Sequence, residues 1–149
     1  MKTFKGFTLI ELVITIAITM ILLSIGMINF NVRDKIEARE EIKSLALDIK
    51  FLKNYAQVNN CKTSIKIEND GYKMIFGSKT KTVKFNKLVK LKSTNVRNIN
   101  FTSGGKPSYV ASNNSAGTII YSIGDKKSIK ITVEPVTGKV NYYELENKK

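Results

Sequence analysis

The chain has 149 residues, about one domain's worth of protein. Lys and Arg number 25 against 12 acids, a formal charge of +13, and there is no His, no Trp and a single Cys. That composition excludes a Ser-His-Asp triad, a Cys-His pair and a His-ligated metal within one chain. One Cys closes no intramolecular disulfide, and Cys61 reads as a small, half-buried hydrophobe. Nothing in the residues asks for a metal or a cofactor.

The first six residues, MKTFKG, carry Lys2 and Lys5 and no acid. An apolar run follows, FTLIELVITIAITMILLSIGMINFNV, in which Glu11 is the one charged residue before Arg33. Residues 12–32 give 21 uncharged positions, and as a helix they span roughly 30 Å, the hydrocarbon thickness of a bilayer. Bases before the run predict a cytoplasmic N-terminus and an exported remainder. A cleaved secretory signal shares the basic start and offers Ser24-Ile25-Gly26 as a small-x-small site. Glu11 interrupts the apolar core such a signal wants, and the run continues past Gly26. A plain one-span anchor and a buried core helix are the other two readings, the last disfavoured by the length of the run.

Glu11 carries the information. A carboxylate inside a membrane span costs on the order of 3 kcal/mol on insertion scales and is usually paired. No base lies within reach on the same apolar helix. Cutting the chain after Gly6 creates a cation, because the new Phe7 amine lies about one helical turn before Glu11. Among parallel helices, Glu11 of one subunit then meets the Phe7 amine of the next, and both charges are neutralised on assembly.

The run Lys5-Gly6-Phe7-Thr8-Leu9-Ile10-Glu11-Leu12 resembles the prepilin peptidase site of type IV pilins and type II secretion pseudopilins. The resemblance rests on a short basic leader, Gly before the cut, an aromatic after it and Glu four residues on. It implies cleavage between Gly6 and Phe7, N-methylation of Phe7, and a part for Glu11 in registering new subunits in a filament. Its implied partners are other pilin or pseudopilin subunits, the prepilin peptidase, the membrane and an inner-membrane assembly platform.

From Asn31 to about Asn59 the pattern turns amphipathic. Ala38, Ile42, Leu45, Ile49, Leu52 and Ala56 alternate spacings of four and three, which places them on one helix face. Leu47, Phe51 and Tyr55 form a neighbouring stripe expected to widen the buried side. No Pro or Gly interrupts residues 27–70, so one helix of about 50 residues is expected. Its apolar repeat is short for a coiled coil, and it reads as the spine of a β domain.

The rest reads as strands and turns. Thr63–Glu68 alternates, Asn69-Asp70-Gly71 turns, and Tyr72–Phe76 returns as a hairpin. Lys81–Phe85, Lys87–Lys92 and Val96–Phe101 are further strands, and residues 102–117 read as a loop rich in Ser, Asn and Gly. Thr118–Ile123, Ser128–Glu134 and Lys139–Leu145 are joined by short turns, which favours a meander. Phe101, Gly104-Gly105-Lys106-Pro107, Gly117-Thr118-Ile119 and Thr137-Gly138-Lys139-Val140 are similar in spacing to the C-terminal signature of the FimT/GspH-like minor pseudopilins. That resemblance implies a minor subunit near a filament tip.

Residues 61–149 hold 17 bases and six acids. Between Asp70 and Asp125 there are nine bases and no acid. A polyanion-binding reading names Lys79, Lys81, Lys84, Lys87, Lys90, Lys92 and Arg97, with Tyr72, Phe76, Phe85 and Tyr109 as stacking faces if exposed. The competing reading, a solvated face whose lysines block edge-to-edge aggregation, is the favoured one, and DNA is the less favoured partner. Gly104-Gly105-Lys106 is too short for a phosphate loop, and no nucleophile–base pair occurs, so no enzyme is expected.

The sequence therefore predicts an α+β, pilin-like protein: a leader over 1–6, a transmembrane or filament-core helix over 7–30, an amphipathic helix over 31–60 and an antiparallel β domain over 61–149. The expected function is that of a structural subunit, with a DNA-binding tip pilin and a non-polymerising single-span protein as alternatives.

Overall fold

Asn60 sets the end of the helix on which the domain is built. It adopts φ of 47°, the left-handed conformation that Asn tolerates just past a helix. Cys61 N–H donates to the Ala56 carbonyl at 3.2 Å and Asn59 N–H to that of Tyr55 at 3.0 Å, closing the last turn of α1 (Leu9–Val58). The computed structural model describes residues 8–110, 113–124 and 127–146, with the backbone alone for 25–31, 110, 113, 114 and 146. The leader, Gly6, Phe7 and Asp125 fall outside the described residues. The chain divides into two units after Asp34.

In the second unit the expected helix face is the buried one. Ala38, Ile42, Leu45, Ile49, Leu52 and Ala56 are all closed to solvent, joined by Ala46. The neighbouring stripe departs from expectation: Leu47 is 56% and Phe51 44% exposed. Phe51, Tyr55 and the end of the second strand instead form an aromatic group at the margin of the core. Its ring centroids lie 5.4 Å (Phe51–Phe76) and 5.3 Å (Tyr55–Phe76) apart, both edge to face.

Among the described residues ten strands follow: β1 (Thr63–Glu68), β2 (Gly71–Phe76), β3 (Lys79–Lys84), β4 (Val89–Thr94), β5 (Asn98–Phe101), β6 (Tyr109–Val110), β7 (Asn113–Asn114), β8 (Gly117–Ile123), β9 (Lys127–Val133) and β10 (Val140–Glu146). The fold is α+β, with the helix packed on antiparallel sheet, as the sequence predicts. Eight of the strands divide between two four-stranded sheets, β3-β2-β1-β5 and β10-β9-β8-β4, where one sheet was expected. The expected meander is the β8-β9-β10 part of the second. The expected loop at 102–117 holds a short β6–β7 ladder.

The division happens at three residues. Thr94 still pairs with Ile119 of β8, while Asn98 already pairs with Lys66 of β1. Between them, Asn95 N–H donates to the Thr118 carbonyl (3.2 Å), and its Oδ1 accepts from Thr118 N–H (2.7 Å). The Arg97 carbonyl accepts from Ile67 N–H (2.7 Å), and Val96 between them is buried. Each residue of the link is thus tied to one sheet or the core. Gly71 fixes the β2–β3 pairing in another way, since a Cβ there would lie 2.1 Å from the Val83 carbonyl oxygen.

The inner faces of both sheets carry charged groups, and each is met by the helix. Asp48 accepts from the Tyr72 hydroxyl at 2.6 Å and from Lys81 Nζ at 3.0 Å. Burial, and then the bond to Asp48, push the Tyr72 phenol above its ordinary range. Glu144 lies opposite Ile129, hence on the core side of β10, and accepts from Arg39 Nε at 2.9 Å. Glu41 accepts from the backbone N–H of Asn86 at 2.7 Å. The Tyr121 hydroxyl, by contrast, is buried with no hydrogen-bond partner among the described residues, and burial raises its pKa. Its ring is held edge to face by Phe85 at 5.2 Å.

This packing makes two testable predictions. All the buried apolar residues of the cluster come after Lys35. A fragment starting at Lys35 is therefore expected to unfold cooperatively in urea; Ile49→Ala should destabilise it by about 2–5 kcal/mol, and Leu47→Ala by less than about 1 kcal/mol. Asp48→Ala takes the carboxylate acceptor from the buried Tyr72 hydroxyl, leaving it Ser44, and should cost about 1–3 kcal/mol. Lys81→Ala removes only a half-exposed ion pair and should cost under about 1 kcal/mol. Equal losses for those two variants would contradict the assigned role of Asp48.

Candidate functional site

The first unit begins at Thr8. Its carbonyl accepts from Glu11 N–H at 3.1 Å and from Leu12 N–H at 3.2 Å, and its Oγ1 faces the Glu11 N–H at 3.4 Å. Thr8-Leu9-Ile10-Glu11 is thus a helix start of the Thr-x-x-Glu kind, with Thr8 as the cap and Glu11 in the first turn. A carboxylate there also complements the positive end of the helix dipole. The sequence singles out Glu11 by its charge but gives Thr8 no prominence, although the spacing of the pair is visible there.

Every described side chain from Leu9 to Ser24 is exposed, Leu9 at 82% and the rest apolar almost throughout. The polar exceptions are matched within the helix. Thr15 Oγ1 donates to the Leu12 carbonyl, Thr19 Oγ1 to that of Ile16 and Ser24 Oγ to that of Met20, each at 2.8 Å. None of these hydroxyls is left with an unpaired donor. Glu11 is left as the one acidic or basic residue among the described residues of this surface. Among the described residues no helix is long and apolar enough to cross a membrane; of the run 12–32, the side chains of 25–31 are not among them.

The bases named from the sequence do not share one face. Lys79 and Lys81 lie opposite Phe76 and Met74, on the helix side of β3, and Lys81 is bonded to Asp48. Lys84 lies opposite Gly71 on the other face, and Lys87 sits in the turn before β4. Lys90 points away from the core beside Ser122, while Lys92 falls at the register shift between Leu91 and Ser93. Arg97 donates to Asn69 Oδ1 at 3.3 Å in the link between the sheets. Of the four aromatics considered for stacking, Tyr72 is buried and Phe76 and Phe85 pack against the core; Tyr109 is 79% exposed.

Among the described residues no group of His, Cys, Asp and Glu is arranged to hold a metal ion. Glu134 is held below the usual carboxylate range by hydrogen bonds from Thr137 (2.7 Å) and Asn141 (3.0 Å), which make it the organiser of the β9–β10 turn.

Residues 1–27 match the prokaryotic N-terminal methylation motif. No curated protein and no solved structure matches the chain. The match contains Thr8, Glu11 and the outward-facing apolar turns described above, and it leads into a helix packed on antiparallel sheet. The chain carries the signature of the type IV pilins and pseudopilins, a structural and not an enzymatic family, on an α+β body of the pilin kind.

Proposed function

We infer that the chain is a minor structural subunit of a type IV pilus-like filament, cut by a prepilin peptidase between Gly6 and Phe7 and methylated on Phe7. The observation that carries this reading is an outward-facing apolar helix segment, Leu9–Ser24, that bears a single carboxylate and lies within the methylation motif. Before assembly, residues 7–30 rest in the inner membrane, with the N-terminus cytoplasmic and residues 61–149 outside. The two bases of the leader support that orientation. In the filament the same residues pack among like helices.

Glu11 makes assembly favourable at one register. In the membrane its charge costs on the order of 3 kcal/mol. Beside the Phe7 amine of a neighbouring subunit the cost is relieved, and a helix slipped by one turn loses the pairing. Leu9, Ile10, Leu12, Val13, Ile14 and Ile16 supply the surrounding apolar contact. The spacing of Phe101, Gly104, Pro107, Gly117, Thr137 and Gly138 supports placing the chain beside the FimT/GspH-like minor pseudopilins. Secretion, pilus assembly and competence machines all offer such a subunit a place.

The test is incorporation into filaments in cells carrying the peptidase. Glu11→Val leaves the Phe7 amine without its partner and should lower the ratio of filament-borne to membrane-borne protein by on the order of 100-fold, the equivalent of about 3 kcal/mol. Glu11→Asp, which keeps the charge but shortens the reach, should fall between the two. Unchanged incorporation of Glu11→Val would overturn the registration mechanism.

A further inference from the structure

The two four-stranded sheets end in four edge strands, β3 and β5 in one, β4 and β10 in the other. Two of these edges are occupied or interrupted. Beside β5, Phe101 bridges to Pro107, and the Asn100 carbonyl accepts from Ser108 N–H at 2.7 Å. In β4 the register with β8 shifts between Leu91 and Ser93. The other two edges are regular. β3 pairs with β2 over all six of its residues, and β10 with β9 over all seven. Every residue of β3 but Val83 is exposed, and so are Tyr143, Glu144 and Leu145 of β10.

The backbone bonds fix which groups these edges offer. Phe85 N–H donates to the Asp70 carbonyl at 2.8 Å, and bonding alternates along an antiparallel pair. Lys79, Lys81 and Val83 therefore bond to β2, while Thr80, Thr82 and Lys84 turn their backbone groups outward. Likewise Glu134 N–H donates to the Lys139 carbonyl at 3.0 Å, which leaves Val140, Tyr142, Glu144 and Glu146 with backbone groups turned away from β9. Among the described residues no further strand pairs with either row.

The two edges carry opposite charge. β3 has Lys79, Lys81 and Lys84 and no acid; β10 has Glu144 and Glu146 and no base. Like charges make β3 a poor partner for another β3, and β10 a poor partner for another β10. A basic edge and an acidic edge suit each other.

We propose that β3 of one copy of this chain adds, in parallel, to β10 of a second copy. The orientation follows from the free groups. In the parallel arrangement the outward-turned backbone groups of both strands meet while outer faces adjoin outer faces; an antiparallel one would set the outer face of one copy against the inner face of the other. With Thr80 beside Tyr143, Thr82 comes beside Leu145, so β-branched side chains cover exposed apolar ones. On the inner row Lys81 then stands beside Glu144. Each has a partner on the helix of its own copy, Asp48 for Lys81 and Arg39 for Glu144, and the four charges alternate in sign across the junction. The contact is head to tail: a joined pair still has one free β3 and one free β10, so it can propagate. It needs neither the cut before Phe7 nor Glu11.

The test measures the mass of the full chain in neutral detergent by sedimentation over a dilution series. The parent should self-associate, less strongly as salt rises. Lys79→Glu with Lys84→Glu reverses the β3 edge, and Tyr143→Lys with Glu146→Lys reverses the β10 edge. Each double variant alone should associate more weakly by about tenfold or more, because its two edges now repel. An equal mixture of the two should recover association, since each supplies the edge that suits the other; a folding defect would not be repaired by mixing. Thr82→Pro removes one outward N–H without touching the bonds to β2 and should weaken association about tenfold with little change in melting temperature. Glu11→Val should associate as the parent does. A parent that stays single would overturn the contact, as would loss in one double variant alone, or loss in both without recovery on mixing. Association that falls in Glu11→Val but in neither edge variant would also overturn it, and would leave the filament reading standing.

Discussion

A carboxylate on an apolar helix surface calls for a counter-charge, and among the described residues no base lies within reach of Glu11 on its helix. The constraint organises the N-terminal unit. Thr15, Thr19 and Ser24 turn their hydroxyls onto their own backbone, so the surface around Glu11 is as apolar as its composition allows. Thr8 and Glu11 together close the first turn, which places the carboxylate at the positive end of the helix. Those backbone contacts fix the first turn and give the Glu11 carboxylate the helix dipole but no basic partner. In the proposed filament, the amine created by cutting before Phe7 completes the arrangement. One residue would then serve both as a barrier to staying in lipid and as a guide to the correct register.

The second unit solves a different problem with the same helix. Two antiparallel sheets, neither continuous with the other, bury their inner faces on one stripe of α1. Ile42, Leu45, Ile49 and Leu52 fill the centre, and the charged pairs stand at its margin. Glu144 and Lys81 sit on strand positions that face the helix, with side chains about half exposed at the margin of the core. Arg39 and Asp48 meet them from the helix. These contacts give the stripe a direction as well as hydrophobicity. The link from Asn95 to Arg97 lets both sheets share one helix, because its hydrogen bonds begin in one sheet and end in the other.

The parts of the fold that are local in sequence were legible there. The face from Ala38 to Ala56 follows from the 3.6-residue period, and the strand cores of β1, β2, β8, β9 and β10 follow from alternation between turns. Strand pairing is non-local, so the split into two sheets could not be read from Thr94 and Asn98, four residues apart and in different sheets. Leu47 and Phe51 misled because hydrophobicity alone does not say how wide a helix face the sheets cover. The lysines misled for the same reason as the sheets. A base count marks the block as positive, but only register separates inward-facing Lys81 from outward-facing Lys66 and Lys73. At the N-terminus Glu11 stood out as a charge among apolar residues, whereas Thr8 is ordinary until the helix is seen to start there.

The central claim is that the chain is a processed filament subunit whose new N-terminus completes a charge pair with Glu11. Intact mass and N-terminal sequence, compared with and without a prepilin peptidase, test it most directly. The account predicts loss of MKTFKG and an added methyl group on Phe7 only when the peptidase is present. A chain that stays uncut, or one cut after Gly26, would contradict it.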